Sequence, residues 1–205
     1  GPLSVAQTAG QGAPPASRDQ PSRLREFYEI YYLASNYLAH SFYMKDLYVI
    51  CDNIRSLENV GSIFRTADAL GVAKIFLCGI TARPPVGEEK EHFLARKISS
   101  KTALGAEKTV PFEFCPQTGR LIDKLKKQGV KVVALEQAGN AVVYTKFNPA
   151  FPMALVLGNE VDGVSKKILE KCDKIIFLPM VGKKESLNVS VAFGIAGYHI
   201  INFNY

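Results

Sequence analysis

The residues best suited to bind a ligand are Ser186 and Asn188, which lie between a polar stretch and the apolar segment 189–203. Apolar residues recur around every side of that segment, which predicts a buried helix with Ser186 and Asn188 at its N-terminus. Free backbone N–H groups and the positive end of the helix dipole favour polar or anionic ligands there. The simpler alternative is that both side chains only cap the helix.

Polar side chains also follow two other apolar runs. Glu160 comes soon after the run 153–157, and Asn59 and Arg65 come after the run 47–51. Arg65 lies off the apolar face of its predicted helix, where it can reach a ligand or remain a solvated charge. Ligands of parallel α/β sheets lie beyond the carboxyl ends of the strands, so three loops are predicted to converge on one site. These loops comprise residues 52–59, 158–165 and 180–188.

The elements that must position these loops are short apolar runs alternating with helical patterns. The predicted strands span residues 47–51, 74–78, 110–114, 131–136, 153–157 and 174–178. The predicted helices span residues 59–71, 118–128, 166–171 and 189–203, with Gly71 ending the first and Ser165 capping the third. Strands that are apolar throughout indicate a parallel sheet covered on both faces. The predicted fold class is therefore α/β, a mostly parallel sheet flanked by helices.

The rest of the chain carries weaker signals. Residues 1–21 are predicted to be a disordered tail that begins with the remnant of a cleaved tag, because they lack large apolar side chains. A tyrosine-rich helix is predicted over residues 22–44, ahead of a single domain over residues 45–205. Residues 81–106 are predicted to be irregular. The basic helix 118–128 is of a kind that is most often simply solvated.

Composition excludes several classes of protein. A net charge of +6, from 25 Lys and Arg against 19 Asp and Glu, weakly favours a polyanionic partner. The four cysteines and three histidines are scattered without zinc-ligand spacing, so no metal is predicted and the cysteines read as reduced, buried residues. No apolar run is long enough for a membrane span. The expected compartment is the cytoplasm, or an organelle if a targeting peptide has been removed upstream.

Familiar nucleotide and hydrolase motifs are missing. No G-x-G-x-x-G follows a predicted strand, and the pair Gly158 and Gly163 is not followed by Lys-Ser or Lys-Thr. Ser186 lacks the G-x-S-x-G frame of a nucleophile. Dinucleotide binding, a phosphate-binding P-loop and serine hydrolysis are therefore disfavoured.

Three segments together resemble the SpoU-type RNA 2′-O-ribose methyltransferases of the SPOUT superfamily. They read NVGSIFRTADALG (59–71), LVLGNEVDGVS (155–165) and LPMVGKKESLNVSVA (178–192). Their order and spacing make the resemblance specific, and it covers the chain from about residue 47 to the end. It implies S-adenosylmethionine as methyl donor, the 2′-hydroxyl of a tRNA or rRNA ribose as acceptor, a C-terminal trefoil knot, and a homodimer with the last helix in its interface.

The resemblance also implies which residues form the site. The expected catalytic residues are Arg65, Asn59, Glu160, Ser186 and Asn188. The expected cofactor contacts are Leu135, Glu136, Gly158, Leu178, Met180 and Leu187. The expected RNA contacts are Arg65, Arg96, Lys97, Lys183 and Lys184.

Arg65 could act as a base or as a residue that binds an RNA phosphate. Accounts of the family make this arginine a base, but a guanidinium with a pKa above about 12 normally stays protonated. We therefore expect Arg65 to grip an RNA phosphate in a bidentate manner and to fix the geometry of attack. Two alternatives stay open from sequence: a catalytically weak RNA-binding module on the same scaffold, and an unrelated α/β enzyme with another nucleotide cofactor.

Overall fold

The computed structural model describes residues 46–83 and 100–203. The predicted tail 1–21, the predicted helix 22–44 and the expected RNA contacts Arg96 and Lys97 lie outside these residues.

A sheet of seven strands forms the centre of the domain, and every pair of neighbouring strands is parallel. The strands in the described residues are β1 (Leu47–Asp52), β2 (Lys74–Cys78), β3 (Phe112–Cys115), β4 (Lys131–Leu135), β5 (Val142–Val143), β6 (Met153–Leu157) and β7 (Lys174–Phe177). Their order in the sheet is β3-β2-β1-β6-β4-β7-β5. The prediction of a mostly parallel α/β sheet is confirmed.

Six α-helices and one short 3₁₀-helix connect the strands within the described ranges. The α-helices are α1 (Leu57–Ala69), α2 (Ser100–Ala103), α3 (Ala106–Thr109), α4 (Thr118–Lys127), α5 (Lys166–Leu169) and α6 (Val189–Asn202). The 3₁₀-helix (Tyr144–Lys146) lies between α4 and α5 in the chain. The four helices predicted within the described residues are all present, and no bound differs by more than two residues.

Two local predictions were wrong, and one strand was not predicted at all. The end of the segment predicted as irregular folds into α2 and α3, whose four residues each are too few to show a helical period. The two-residue strand β5 is likewise too short to be seen in the sequence. Ser165 does stand at the N-cap of α5, but its side chain makes no capping hydrogen bond.

Helix α1 begins and ends where local chemistry requires it. The Ser56 side chain accepts a hydrogen bond from the backbone N–H of Asn59, which satisfies one of the free donors of the first turn. At the other end Gly71 adopts a left-handed φ of 64°, as predicted for a residue that terminates a helix. The helix start is thereby fixed directly after β1, next to the other strand ends.

Two apolar layers cover the sheet. One contains Phe64 of α1 and Phe193 of α6, together with the strand residues that face them. The other contains Leu121 and Leu125 of α4, packed on the opposite face of the strands. Strand β6 is buried along its whole length because both layers cover it.

The predicted burial of the cysteines is confirmed for Cys51 and Cys78, whereas Cys115 and Cys172 are only partly buried. All four cysteines are free, and burial raises the pKa of the Cys78 thiol to about 12, so it behaves as a small apolar residue. None of the helices in the described part of the chain has the length and apolar character to cross a membrane.

Replacing the fully buried Phe193 with alanine should cost about 3–5 kcal/mol in the free energy of unfolding, because the cavity between α6, α1 and the sheet cannot collapse completely. Urea denaturation followed by circular dichroism measures this. The matched control is Ile80→Ala, whose side chain is 58% exposed and which should stay within about 0.5 kcal/mol of the wild type. Equal losses in the two variants would contradict the position of Phe193 in the core.

Candidate functional site

A cleft of about 310 Å³ opens at the carboxyl ends of β4, β6 and β7. Its walls come from the loops that follow these strands and from the first turn of α6. The lining residues are Leu135, Glu136, Gln137, Leu157, Gly158, Asn159, Glu160, Val161, Asp162, Gly163, Phe177, Leu178, Met180, Ser186, Leu187, Asn188, Val189 and Ala192. The volume falls at the lower end of the range for small-molecule sites.

All six residues expected to contact the cofactor line this cleft. Leu178 is buried at its base, whereas Leu187 is 42% exposed near its opening. Of the five expected catalytic residues, Glu160, Ser186 and Asn188 also line the cleft, and Asn59 and Arg65 do not.

The Glu136 side chain holds the cleft together. One carboxylate oxygen accepts a hydrogen bond from the backbone N–H of Val164 at 2.7 Å, and the other accepts one from Gln137 at 2.8 Å. A side chain at Gly163 would collide with the same carboxylate. Glu136 therefore ties the loop after β4 to the loop after β6.

The loop after β6 is a tight turn that requires glycine. Asn159 and Gly163 form an antiparallel bridge with N···O distances of 3.1 and 2.9 Å. A Cβ atom at Gly158 would meet the backbone of Gly163 and Val164. Gly163 itself has a φ of 64°, which favours glycine. The base of the cleft is thus bare backbone.

A chain of side-chain hydrogen bonds joins the three predicted loops, and we call it the Asn188–Asn59–Glu160 chain. The Asn188 amide donates to the Asn59 carbonyl oxygen at 2.9 Å, and the Asn59 amide donates to Glu160 at 2.9 Å. Glu160 also accepts from the backbone N–H groups of Arg55 and Ser56 at 3.0 and 2.9 Å. The predicted convergence of the three loops is confirmed.

Asn188 also caps α6. Its carbonyl oxygen accepts hydrogen bonds from the backbone N–H and the hydroxyl of Ser190, at 2.9 and 2.7 Å. The simple capping interpretation is therefore correct for Asn188, in addition to its link with Asn59. Ser186 is different, since it is exposed, lines the cleft and makes no hydrogen bond to any residue in the described ranges.

Hydrogen bonding sets the charge state of Glu160. Partial burial would raise the pKa of this carboxyl, but the donors from Arg55, Ser56 and Asn59 outweigh burial and hold the pKa below its usual range. Glu160 is thus ionised at neutral pH while most of its acceptor capacity is already used.

The charge of the cleft is one-sided. Three carboxylates, those of Glu136, Glu160 and Asp162, stand among the lining residues, with no Lys, Arg or His. A ligand rich in phosphates would find no counter-charge here, whereas an apolar ligand that carries positive charge would be favoured. No group of residues able to hold a metal ion occurs in the part of the chain that the structure describes.

Of the expected RNA contacts, Arg65, Lys183 and Lys184 belong to the described residues, and none of the three lines the cleft. Arg65 is exposed on α1, about 9 Å along the helix axis from Asn59, and has no hydrogen-bond or salt-bridge partner among residues 46–83 and 100–203. Lys183 and Lys184 are exposed on the loop before α6. The single chain thus brings four of the five expected catalytic residues together and leaves Arg65 apart.

Comparison with known proteins identifies the family. The model of the SpoU rRNA Methylase family matches residues 46–198. The chain belongs to this SpoU family. Among curated relatives it is 34% identical to the tRNA (guanosine(18)-2′-O)-methyltransferase of Aquifex aeolicus, over 75% of this chain and 68% of that protein. It is also 34% identical to the 23S rRNA (guanosine-2′-O-)-methyltransferase RlmB of Neisseria meningitidis, over 72% of this chain and 55% of that protein.

Solved structures of the SpoU family share the fold. The A. aeolicus TrmH/SpoU tRNA modifying enzyme superposes with a TM-score of 0.65 at 34% identity, covering 77% of this chain and 74% of that one. An AdoMet-bound rRNA methyltransferase from Sinorhizobium meliloti superposes with a TM-score of 0.64 at 27% identity, covering 76% and 55%. The chain spans 57% of the length of a putative TrmH family tRNA/rRNA methyltransferase of Staphylococcus haemolyticus, with which it is 34% identical over 74% of its own residues.

Two residues of this SpoU domain were missed from sequence. The Gln137 amide donates to the backbone carbonyl of Glu185 at 2.6 Å, which joins the loop after β4 to the loop before α6. The Asn159 amide donates to the carbonyl of Asn53 at 2.8 Å. Each is the second residue after the end of a strand, and that position is the signal that could have identified them.

The Glu160→Gln variant should lose about 1–2 kcal/mol of stability at pH 7, because the amide cannot accept from all three donors and the site is partly solvated. The folded pKa of Glu160 is lowered, so its contribution is present above the unfolded value near 4.5 and is lost as the pH falls through the folded value.

Urea denaturation at pH 7 and at pH 3 measures this difference, which should shrink at the lower pH. Asp162→Asn is the matched control, since Asp162 is exposed and its carboxylate accepts no hydrogen bond from a described residue. A difference between wild type and Glu160→Gln that is independent of pH would contradict the assigned role.

Proposed function

We propose that this domain binds S-adenosylmethionine in the cleft and methylates a ribose 2′-hydroxyl of tRNA or rRNA. The observation that carries the proposal is the cleft itself, in which the three motif loops are held together by the Asn188–Asn59–Glu160 chain. The names of the relatives support an RNA 2′-hydroxyl as the acceptor, and they include both a tRNA and a 23S rRNA enzyme.

The residues present fit this cofactor. S-adenosylmethionine supplies a methyl group activated on a positively charged sulfur. Apolar side chains such as Leu135, Leu178 and Leu187 offer walls for an adenine ring, and Gly158 lines the same cleft without a side chain. The carboxylates favour the positive charge. The same absence of basic lining residues argues against a cofactor that binds through its phosphates.

Each polar residue has a separate task in this proposal. Asn59 uses both ends of its amide within the protein, so it acts as a positioning residue for Glu160 and Asn188. Ser186 presents an unshared hydroxyl to the cleft and is placed to hydrogen-bond the ribose. The chain thereby orients the acceptor for in-line attack rather than forming a covalent intermediate.

Arg65 is assigned to the RNA. Its guanidinium is exposed and offers a planar set of donors that matches a phosphate. Because Arg65 does not line the cleft of its own chain, we assign it to the cleft of a second copy. The alternative, in which Arg65 serves its own subunit, predicts a different activity when two inactive variants are mixed.

Calorimetry and a methyl-transfer assay test the proposal together. The wild type should bind S-adenosylmethionine and transfer tritiated methyl groups to RNA. Arg65→Ala should keep cofactor affinity and lose about 100-fold or more in turnover, because the attack geometry is lost. Full turnover by Arg65→Ala would remove the residue from the mechanism, and no cofactor binding by the wild type would favour the RNA-binding module.

Mixing two inactive variants distinguishes the two positions of Arg65. If Arg65 acts on the partner's cleft, a heterodimer of Arg65→Ala and Asn188→Ala contains one complete site, and activity returns on mixing. If Arg65 acts within its own subunit, neither site is complete and the mixture stays inactive. Mass-spectrometric mapping of 2′-O-methyl groups in RNA from cells with and without the protein would then identify the nucleotide.

The exposed face of α6 supports a homodimer. Leu187, Val191, Ile195 and Tyr198 recur at spacings of four, four and three residues and are 42%, 50%, 39% and 49% exposed. One apolar stripe therefore runs the length of the helix, while Phe193 and Ile200 fill the core on the other side. A second copy covering the stripe would explain a helix that is apolar all round.

A charge in this stripe should separate the subunits. Ile195→Glu should convert the dimer to a folded monomer, because a buried unpaired carboxylate is costly at an apolar interface. Sedimentation-velocity analysis measures the mass, with Ile80→Glu as the control at an exposed apolar residue far along the sheet. A dimer that persists in Ile195→Glu would exclude this face as the interface.

A C-terminal trefoil knot is also part of the proposal. The resemblance of the three motifs to the SpoU-type methyltransferases implies it, and the chain belongs to the SpoU family.

A further inference from the structure

The net positive charge of the chain is concentrated on one face. Residues 118–131 and 165–174, which include α4 and α5, carry nine Lys and Arg against three Asp and Glu. The remaining residues carry sixteen of each and are neutral as a whole. The excess of six positive charges therefore belongs entirely to these two segments, which we call the α4–α5 face.

The acidic residues of the α4–α5 face are mostly used within it. Lys171 pairs with Asp123 at 2.7 Å, and Lys126 pairs with Asp173 at 2.9 Å. Gly119 of α4 lies against α5, where its Cβ position is 3.4 Å from the Lys171 side chain. These contacts join the two helices into one surface and leave most of the positive charge without a partner on it.

The unpaired cations form an ordered row. Arg120, Lys124 and Lys127 are exposed at spacings of four and three residues, so they lie along one side of α4 for about 10 Å. None of them has a salt-bridge partner within the part of the chain that is described. Lys166 and Lys167 are exposed at the start of α5, directly after the loop that lines the cleft.

Helix stability accounts for only part of this row. Lys124 and Lys127 lie in the last turn of α4, where the helix dipole favours cations. Arg120 lies in the first turn, where the dipole disfavours a cation and no acidic residue is present, and like charges at these spacings repel each other. A surface that serves only for solubility usually mixes charges of both signs. Local choices that oppose folding are expected where a surface has a function.

We infer that the α4–α5 face binds the phosphate backbone of the RNA substrate away from the methylated nucleotide. The inference rests on the proposed function for the choice of partner. Lys166 and Lys167 follow the loop that lines the cleft, and α5 packs against α4, which carries the row. A nucleic-acid strand that leaves the cleft can therefore follow these cations. Phosphate contacts of this kind fix orientation and add affinity without reading sequence.

Salt-dependent binding of fluorescently labelled, unfractionated tRNA tests the inference. Lys124→Gln/Lys127→Gln should weaken binding about 3- to 10-fold and reduce the slope of log K against log salt by about 2 in magnitude, one for each lost contact. The matched control is Lys108→Gln/Lys146→Gln, which removes the same charge from exposed residues elsewhere and should stay within about 2-fold of the wild type.

Two results would contradict the role of the α4–α5 face, and a third tests the proposed function separately. Identical salt slopes for the two double variants would overturn the inference. If Lys124→Gln/Lys127→Gln instead loses binding to phosphatidylserine vesicles while its tRNA binding is unchanged, the face is assigned to a membrane surface and the inference is also overturned. Cofactor affinity is measured in parallel and should be equal in all proteins. If the wild type fails to bind S-adenosylmethionine, the proposed function fails, and the comparison of salt slopes still decides the role of the face.

Discussion

Two amide–oxygen contacts hold the site together, because the Asn188–Asn59–Glu160 chain is the link that joins loops from three distant parts of the sequence. Glu160 accepts three hydrogen bonds, and two of them come from the backbone just before α1. The carboxylate thus serves as a fixed anchor for the start of α1. Together with the Asn159 amide, which donates to the Asn53 carbonyl, it holds the loop after β6 against the loop after β1.

The cleft is largely preformed by the protein itself. Glu136 binds two backbone N–H groups, and Gly158 brings two stretches of backbone into contact. The Glu136 carboxylate is therefore already satisfied, whereas the Ser186 hydroxyl and the Asp162 carboxylate make no hydrogen bond to a described residue and remain to recognise a ligand. Selectivity then depends on the shape of the cleft and on its negative charge. Such a site lowers the entropic cost of binding, since little has to be ordered when a ligand enters.

The sequence predicts the strands and long helices well because their burial leaves a continuous apolar pattern. The run at Met153–Leu157 is buried on both faces and was predicted with its observed bounds. The helices α2 and α3 were not, since four residues cannot show a period. The partnership of Asn59 with Asn188 also escapes the sequence, because the two are 129 residues apart and no local rule pairs them. Glu136 shows the same limit: its position at the cleft was expected, but its use as a clamp between loops appears only in three dimensions.

The double use of Asn188 joins two levels of organisation. One end of its amide caps α6, the helix with the exposed apolar stripe, and the other end reaches Asn59 at the edge of the cleft. In the proposed dimer, a shift of α6 against the second copy would be transmitted to Asn59 at the edge of the cleft through this single side chain. By reciprocity, a ligand that orders Asn59 would also change the association of the two copies. In that assembly Asn188 would couple the two sites.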